Sequence, residues 1–336
     1  MGDSMSTLSL ADKNILVIMP TAFGYDQEIK RTLESQGAHV NIIFENIKEL
    51  SLAYKFVYVY LKPWRSRFIY HYYKKKISAI NRKIDYLFVI RGSTLTKDIL
   101  SLIQEKAAPD CKYIMYQWDS IKNNSSVMPI IGSFDSIATF DIQDAQNLNW
   151  KYRPLFFIEH FISEKKSREI DIAYICSVHS QRFQIYKKVK SLCLSQGWSF
   201  HHHMFINWVL FLKYKFLDRN PVICEAKSAD LSFRSLSLTE TYSLYQKSKI
   251  ALDYTHPGQT GFTMRTIETL GNECKLITNN TLIRDADFFD PNNILVYEGT
   301  DVEIPEWFVQ TPYRKLDNDV YKKYSLTQWI QDIFEQ

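Results

Sequence analysis

Strand-like and helix-like segments alternate along this chain, and the alternation limits its possible folds more than any other feature. The apolar run KNILVIMP (13–20) indicates a buried strand, and a segment with helical spacing follows it and stops at Gly37. VNIIF (40–44) then resumes strand character. A strand, a helix and a strand within about 32 residues form a βαβ unit, which begins a parallel sheet.

The same alternation continues and then starts again after residue 168. The first half adds predicted strands at 85–92, 112–119 and 136–140, with a helix at 95–107. The second half adds predicted strands at 169–177, 199–205, 250–255, 275–279 and 294–298, with helices at 180–198, 238–249 and 263–271. The pattern therefore predicts two α/β units in succession.

The length of the chain agrees with two units. A chain of 336 residues exceeds one average core and suits two domains of about 150 residues each. The segment 150–168 contains Pro154 and a run of charges, as expected of an interdomain linker. We expect an N-terminal domain over 1–160, a second domain over 161–320, and an amphipathic helix over 321–336 that packs back towards the first domain.

Composition argues against several other classes of protein. Five scattered cysteines without a CxxC pair argue against a disulfide framework and against a cysteine-rich zinc site, and they favour a reducing compartment. We expect no transmembrane helix, because no apolar run reaches about 18 residues, and no secretory signal. A net charge of +4 without a recognised motif does not indicate nucleic-acid binding. We therefore expect a cytoplasmic protein.

The densest group of functional residue types lies in HPGQTGFTMRTIETLGNECKLITNN (256–280). This segment follows a predicted strand and leads into a predicted helix, which is where ligands bind in open α/β sheets. A helix N-terminus offers free N–H groups and a positive dipole end to a phosphate. The candidate ligand-binding residues of this segment are His256, Gly258, Thr260, Gly261, Phe262, Thr263, Arg265 and Glu268.

Arg265 and Glu268 allow two interpretations. Arg265, in the first helical turn, can place its guanidinium on the same anion as the helix N-terminus. The carboxylate of Glu268 can accept hydrogen bonds from two ribose hydroxyls, so the pair suits a nucleoside diphosphate. Alternatively, the two residues form a solvated i,i+3 pair worth a few tenths of a kcal/mol. Their positions alone leave both interpretations open.

The string IALDYTHPGQTGFTMRTIETLGNECKLITN (250–279) resembles the donor-binding segment of GT-B glycosyltransferases, in particular their CgeB-like, bacterial surface-polysaccharide branch. The pattern there is G-[FY]-x-x-R-x-x-E-x-x-x-x-G, which Gly261, Phe262, Arg265 and Glu268 match. The resemblance implies two Rossmann-like α/β domains facing a cleft. It also implies that the glutamate binds the donor ribose, while the arginine and the loop amides bind the pyrophosphate. It covers the second half of the chain, and the first half only by architecture.

Two positions depart from that pattern. Its last glycine falls on Glu273, with the nearest glycine at Gly271, so the end of the helix is expected to close differently. Retaining members often carry a second glutamate eight residues before the first, and that position is Thr260 here. The resemblance therefore favours an inverting transfer that uses neither a metal nor another cofactor.

A second phosphate contact is expected in YICSVHSQR (174–182). A predicted strand leads there into a serine-rich turn and Arg182. This resembles the first strand and loop of the donor domain in the same fold, where a basic residue approaches the diphosphate. The alternative is that Arg182 is an ordinary surface charge on a helix.

An inverting transfer needs a general base that takes a proton from the acceptor hydroxyl. In the GT-B fold this base usually follows a strand of the first domain, so Asp26 and Asp119 are our candidate bases. Their alternative roles are helix capping for Asp26 and a strand-end turn for Asp119. The residues assigned to the acceptor are Arg91, Ser93, Trp118 and Glu159, and Glu159 is also a third carboxylate for the base.

The histidines at 201–203 do not indicate a metal site. Consecutive residues of a strand point to opposite faces, so the three cannot converge on one ion. His256 is the better site candidate because it enters the loop at 256–280.

Residues 51–84 form a basic aromatic tract with nine Lys or Arg and no Asp or Glu, and residues 205–217 have a similar character. Such segments suit a membrane interface or an anionic, lipid-linked acceptor at the inner face of the cytoplasmic membrane. The alternative is a pair of core-packing helices with a solvated lysine face.

The sequence thus predicts a glycosyltransferase that moves a hexosyl group from a nucleoside-diphosphate sugar to a glycan or lipid-linked glycan in bacterial surface-polysaccharide synthesis. Two alternatives stay open. One is a nucleotide-sugar epimerase of GT-B type, and the other is a non-catalytic sugar-nucleotide or glycan binder.

Overall fold

A computed structural model describes residues 9–45, 64–164, 167–179, 181–256 and 259–335. The chain divides into two compact units. The first unit comprises Met1–Pro154 and Leu326–Gln336, and the second unit comprises Leu155–Ser325. Each unit contains its own parallel sheet and its own apolar core. The predicted fold class, two parallel-sheet α/β domains, is confirmed.

The first unit is built on six parallel strands. They are β1 (Asn14–Met19), β2 (His39–Phe44), β3 (Ile84–Ile90), β4 (Ala107–Gln117), β5 (Ser136–Thr139) and β6 (Lys151–Tyr152). The helices between them are α1 (Tyr25–Ser35), α2 (Arg65–Ser78), α3 (Lys97–Gln104) and α4 (Ile142–Leu148). The order across the sheet is β2-β1-β3-β4-β5-β6. Five of the six residues of β1 are buried, as expected of a strand that helices cover on both faces.

The second unit is built on five parallel strands. They are β7 (Ile170–Ser177), β8 (Phe200–Phe205), β9 (Ser248–Leu252), β10 (Lys275–Thr278) and β11 (Ile294–Val296). Its helices are α5 (Arg182–Gln196), α6 (Trp208–Leu212), α7 (Pro221–Glu225), α8 (Leu238–Lys247), α9 (Met264–Gly271), α10 (Glu306–Gln310) and α11 (Asn318–Lys323). The order across the sheet is β11-β10-β9-β7-β8.

Both sheets are wound in the same way. Numbered from its own first strand, each has the doubly wound order 2-1-3-4-5, and the first sheet adds a sixth strand at its edge. The winding reverses between the first and third strands, and ligands of such sheets bind beyond the carboxyl ends of the strands at that reversal. The expected positions are therefore the ends of β1 and β3 in the first unit and of β7 and β9 in the second.

The C-terminal helix, α12 (Leu326–Phe334), belongs to the first unit. The ring of Trp329 packs edge-on against Tyr116, with centroids 4.7 Å apart. Asp332 Oδ2 lies 2.7 Å from Nε of the buried Arg153. An apolar face and one ion pair thus join the end of the chain to the first sheet.

Residues 155–158, inside the segment predicted as a linker, are buried in the second unit. The Phe157 ring packs on the ring of Tyr321, with centroids 4.8 Å apart. The same ring also packs on Gly271, and a Cβ added to this glycine would lie only 2.3 Å from Phe157 Cγ. Gly271 is therefore explained by close packing rather than by a ligand.

Part of the basic aromatic tract, residues 51–63, lies outside the described residues. In its described part, α2 buries Ile69, Tyr73 and Ile77 in the core of the first unit and leaves its lysines exposed. This matches the core-packing alternative for α2. Among the helices that the structure describes, none has the length and apolar character needed to cross a membrane.

Candidate functional site

Asp253 organises the loop between β9 and α9. Its side chain is fully buried directly after β9, and its Oδ2 accepts a hydrogen bond from Thr263 Oγ1 at 2.6 Å. Thr263 in turn caps α9 by accepting from the backbone N–H of Thr266 at 3.2 Å. The buried carboxylate therefore fixes where the helix begins.

Arg265 is held by groups of the protein. Its Nε donates to the hydroxyl of Tyr245 at 2.9 Å, and its Nη1 lies 3.6 Å from Asp253 Oδ1. Burial opposes the charge on this guanidinium, but Tyr245 and Asp253 outweigh it and raise the pKa of Arg265. The arginine is thus charged, and Asp253 compensates that charge.

Glu268 lies one turn further along α9 and is 3% exposed. Together with the larger effect of burial, its charge raises the pKa of Tyr242 and of Tyr245. It also contributes to the raised pKa of Arg265. The structure therefore brings the predicted pair, Arg265 and Glu268, into one buried charge cluster with Asp253.

Arg182 lies at the reversal of winding, at the start of α5. Its Nη1 donates to His179 Nε2 at 2.9 Å and its Nη2 donates to the carbonyl of Tyr254 at 3.0 Å, so it joins the loops after β7 and β9. Its Nε is buried without a hydrogen-bond partner, and among the described residues no carboxylate forms an ion pair with it. Within the part of the chain that the structure describes, Arg182 is therefore a cation without a compensating carboxylate.

Two histidines lie beside this arginine. The rings of His179 and His256 are 6.4 Å apart. Partial burial and the neighbouring Arg182, His256 and Arg265 lower the pKa of His179 to about 4. Burial is the largest cause of this shift, and the neighbouring Arg182, His256 and Arg265 add to it in the same direction. These cations at the carboxyl ends of β7 and β9 are what an anion site requires.

The remaining predicted residues of this loop are placed as follows. Gly261 is buried, and its carbonyl accepts from Asn280 Nδ2 at 3.2 Å. Phe262 is buried against Phe288, with ring centroids 5.4 Å apart. Thr260 is half-buried, and Gly258 lies outside the described residues.

In the first unit, predicted residues gather at the carboxyl edge of the sheet. Arg91, directly after β3, has a φ of 78°, which is strained for a residue with a side chain. Its carbonyl accepts hydrogen bonds from Gln117 Nε2 at 2.8 Å and Asn124 Nδ2 at 2.9 Å, and these hold the strained conformation. Arg91 Nε lies 3.1 Å from Asp119 Oδ2. The structure thus pairs a predicted acceptor residue with a predicted base.

Glu45, which sequence reasoning missed, belongs to the same edge. It follows β2, is 4% exposed, and accepts a hydrogen bond from Ser93 Oγ at 3.1 Å. Burial raises its pKa to about 7, although the Ser93 hydrogen bond and the charge of Arg91 oppose the rise. Its other oxygen, Oε1, is buried, and no group of the described residues donates to it. Glu45 can therefore gain or lose a proton near neutral pH.

The other predicted residues of the first half differ in their surroundings. Asp26 is buried in the first turn of α1, where its carboxylate accepts from Gln27 Nε2 at 2.9 Å. The N-cap of that helix is Gly24, so the alternative role of Asp26 as the cap is wrong. Trp118 is half-buried after β4, and Glu159 is half-buried in a short 3-10 turn of the second unit.

A simple signal would have found the missed groups. Asp253 directly follows the largely buried β9, Glu45 directly follows the partly buried β2, and Asp119 lies two residues after β4. Asn279 and Asn280 come directly after β10 and hold the loop, since Asn279 Oδ1 accepts from the backbone N–H of Thr255 at 2.7 Å. Every polar residue at the carboxyl end of a predicted parallel strand was thus a candidate.

Within the described ranges, no group of three His, Cys, Asp or Glu is arranged to hold a metal ion. In the histidine run, the ring of His202 lies against Tyr186, with centroids 4.7 Å apart, whereas His203 Nε2 bonds the carbonyl of Arg234. The two side chains thus have separate partners.

Solved structures resemble the whole chain. A sucrose-phosphate synthase from Thermosynechococcus elongatus superposes with a TM-score of 0.58 and 9% identity over 96% of this chain and 98% of that one. HepE of Anabaena, in complex with UDP and glucose, gives a TM-score of 0.58 and 10% identity over 96% and 98%. The catalytic domain of Arabidopsis thaliana starch synthase IV, bound to ADP and acarbose, gives 0.54 and 9% over 97% and 98%.

The chain has the GT-B fold. No protein-family model matches the sequence, and no curated protein matches it significantly. The GT-B assignment therefore rests on two parallel-sheet α/β domains that superpose on glycosyltransferases over nearly their full length.

Proposed function

We propose that this chain is a glycosyltransferase that takes its sugar from a nucleoside-diphosphate donor. The observation that carries the proposal is Arg182, a cation without a compensating carboxylate in the described residues, at the reversal of winding between β7 and β9. Burial is the largest cause of the depressed pKa of His179, and the neighbouring Arg182, His256 and Arg265 lower it further, as expected where cations gather. A diphosphate is the anion that this position in a doubly wound sheet most often receives.

The donor is assigned to the second unit. Arg182, His256 and the amides of the loop before α9 bind the diphosphate, and Arg265 contributes from the first turn of that helix. Glu268 binds the ribose of the nucleoside. The structures of HepE with UDP and glucose and of starch synthase IV with ADP support the choice of donor class.

The acceptor is assigned to the first unit, where Arg91, Ser93 and Trp118 line the carboxyl edge of the sheet. Glu159 stays a predicted acceptor residue. Asp119 and Asp26 are candidate bases, and Glu45 joins them because its pKa of about 7 suits proton uptake at neutral pH. The proposed reaction is an inverting hexosyl transfer without a metal or other cofactor. The proposed acceptor is a glycan or lipid-linked glycan of bacterial surface-polysaccharide synthesis, at the inner face of the cytoplasmic membrane.

The first test is a thermal-shift screen with UDP-, GDP- and dTDP-sugars, with a CMP-sugar, which carries only one phosphate, as the comparison that is expected to give no shift. One of the diphosphate sugars is expected to raise the melting temperature, and added EDTA is expected to leave the shift unchanged. Arg182→Ala is expected to weaken binding about tenfold or more, because a charge-assisted hydrogen bond is worth about 1.5–3 kcal/mol. Arg265→Ala and Glu268→Ala are expected to weaken binding as well.

Arg234→Ala is the matched control, because Arg234 is an exposed arginine of the same unit that pairs with Glu240 at 2.8 Å. A screen in which no nucleotide sugar gives a shift, or in which Arg182→Ala binds the donor as well as the control does, contradicts the proposal. Asp26→Ala, Asp119→Ala and Glu45→Gln then separate an enzyme from a binder. Loss of transfer with donor binding retained identifies an enzyme.

A further inference from the structure

The segment at α6 exposes an unusual concentration of apolar side chains. In the described part of the chain, six of the eleven exposed large apolar residues lie in this segment or against it. They are Trp208 (54% exposed), Val209 (72%), Leu210 (37%), Phe216 (65%), Leu217 (79%) and Phe233 (41%). We call these six residues the α6 patch.

The segment that carries the α6 patch is anchored to the second unit by a helix cap and by two inward-facing rings. Asn207 caps α6 by accepting from the N–H of Val209 at 2.9 Å, and a π-helical turn, Lys213–Leu217, continues the helix. Phe211 and Tyr214 pack inward against the core of the second unit. The residues on either side of this inward pair, 208–210 and 216–217, are exposed, so an apolar face of the segment is left uncovered by the described part of the unit that supports it.

The charges around the α6 patch have one dominant sign. Residues 206–222 contain three cations, Lys213, Lys215 and Arg219, and a single acid, Asp218. All four side chains are exposed. In a symmetric pairing of two copies, the same cations would meet each other across the interface, and this repulsion disfavours self-association.

An anionic lipid surface fits both properties of the α6 patch. Tryptophan and phenylalanine are favoured at the boundary between headgroups and acyl chains. Lysine and arginine beside them gain from the negative potential of anionic headgroups. From this combination we infer that the α6 patch docks the protein on anionic lipid. The inference is independent of the donor site, because it is argued only from the exposed apolar and cationic side chains of the α6 segment.

The test is co-sedimentation of the full chain with vesicles. One preparation contains phosphatidylcholine alone, and the other contains phosphatidylcholine and phosphatidylglycerol in equal amounts. Binding to the mixed vesicles is expected to exceed binding to the neutral ones about tenfold, and added salt is expected to reduce it. Phe216→Ser with Leu217→Ser, and separately Lys213→Glu with Lys215→Glu, are each expected to reduce binding to the mixed vesicles about tenfold.

Leu194→Ser is the matched control, because Leu194 is 84% exposed on α5 of the same unit and lies outside the α6 patch. Circular dichroism and the donor-induced thermal shift check that each variant is folded. Equal binding to both vesicle types, or unchanged binding by the Phe216 and Leu217 variant, overturns the inference. A concentration-dependent dimer that this variant abolishes, without vesicle binding, overturns it in favour of a protein interface.

Discussion

The buried carboxyl of Glu45 predicts a specific pH dependence of stability. Burial raises its pKa from an ordinary 4.5 to about 7 in the folded protein. Between these two pH values, the folded state therefore keeps a proton on Glu45 that the unfolded state has released. Its contribution to stability is fully present below about pH 4.5 and is lost as the pH rises through about 7.

The size of the effect follows from the shift. About 2.5 pKa units correspond to roughly 3 kcal/mol, at about 1.4 kcal/mol for each unit. Because Glu45 is only 4% exposed, solvent screening reduces this value little. Glu45→Gln removes the titration but keeps an oxygen that can accept from Ser93. The variant is therefore expected to gain stability relative to the unaltered protein as the pH rises, by up to roughly 3 kcal/mol at about pH 8.

The assay is urea unfolding of both proteins at several pH values from about 5 to about 8. The difference between their free energies of unfolding is expected to grow steadily over this range. Glu34→Gln, a substitution of a half-exposed glutamate on α1, is the matched control and is expected to show no such growth. If the curves of Glu45→Gln and the unaltered protein run parallel, Glu45 does not titrate as the geometry requires.

Two further predictions concern the second unit. Addition of the nucleoside diphosphate whose sugar gives the thermal shift is expected to raise the pKa of His179 from about 4 towards its ordinary value, because a diphosphate offsets the neighbouring cations. An NMR pH titration of the ring measures this change, and an unchanged pKa contradicts the proposed site. Gly271→Ala is expected to destabilise the protein by about 1–3 kcal/mol in urea unfolding, because the new Cβ would clash with Phe157. Gly132→Ala, where an added Cβ has nothing within 4 Å, is the control and is expected to leave stability nearly unchanged.

The strands could be predicted from the sequence because burial on both faces makes them continuous apolar runs. Ile15–Met19 within β1 and the buried run of β7 are examples. The short elements could not be predicted in this way. β6 has only two residues, both exposed, and it is a strand because it pairs with β5. Its pairing is a property of the folded sheet rather than of its own composition.

The candidate site was predictable in position but not in its electrostatics. The glycines, the arginine and the glutamate before and within α9 identified the loop at the carboxyl end of β9. The ion pairs and hydrogen bonds of each charged side chain depend on partners that lie far away in the sequence. Arg265 is compensated by Asp253 and bonded to Tyr245, and Glu45 owes its hydrogen bond to Ser93, 48 residues away. Local sequence patterns carry no information about such pairings.

This difference in compensation assigns different roles to the two arginines. A cation that is already paired with a buried carboxylate binds an added anion less strongly, because that carboxylate repels the anion. Arg265 is in this position, since Asp253 is fully buried and cannot move into solvent. Within the described residues, Arg182 donates to His179 and to the carbonyl of Tyr254 but forms no ion pair with a carboxylate, so a bound phosphate balances its charge without opposing a buried anion. Under the proposed function, Arg182 is therefore expected to contribute more than Arg265 to binding the donor's diphosphate.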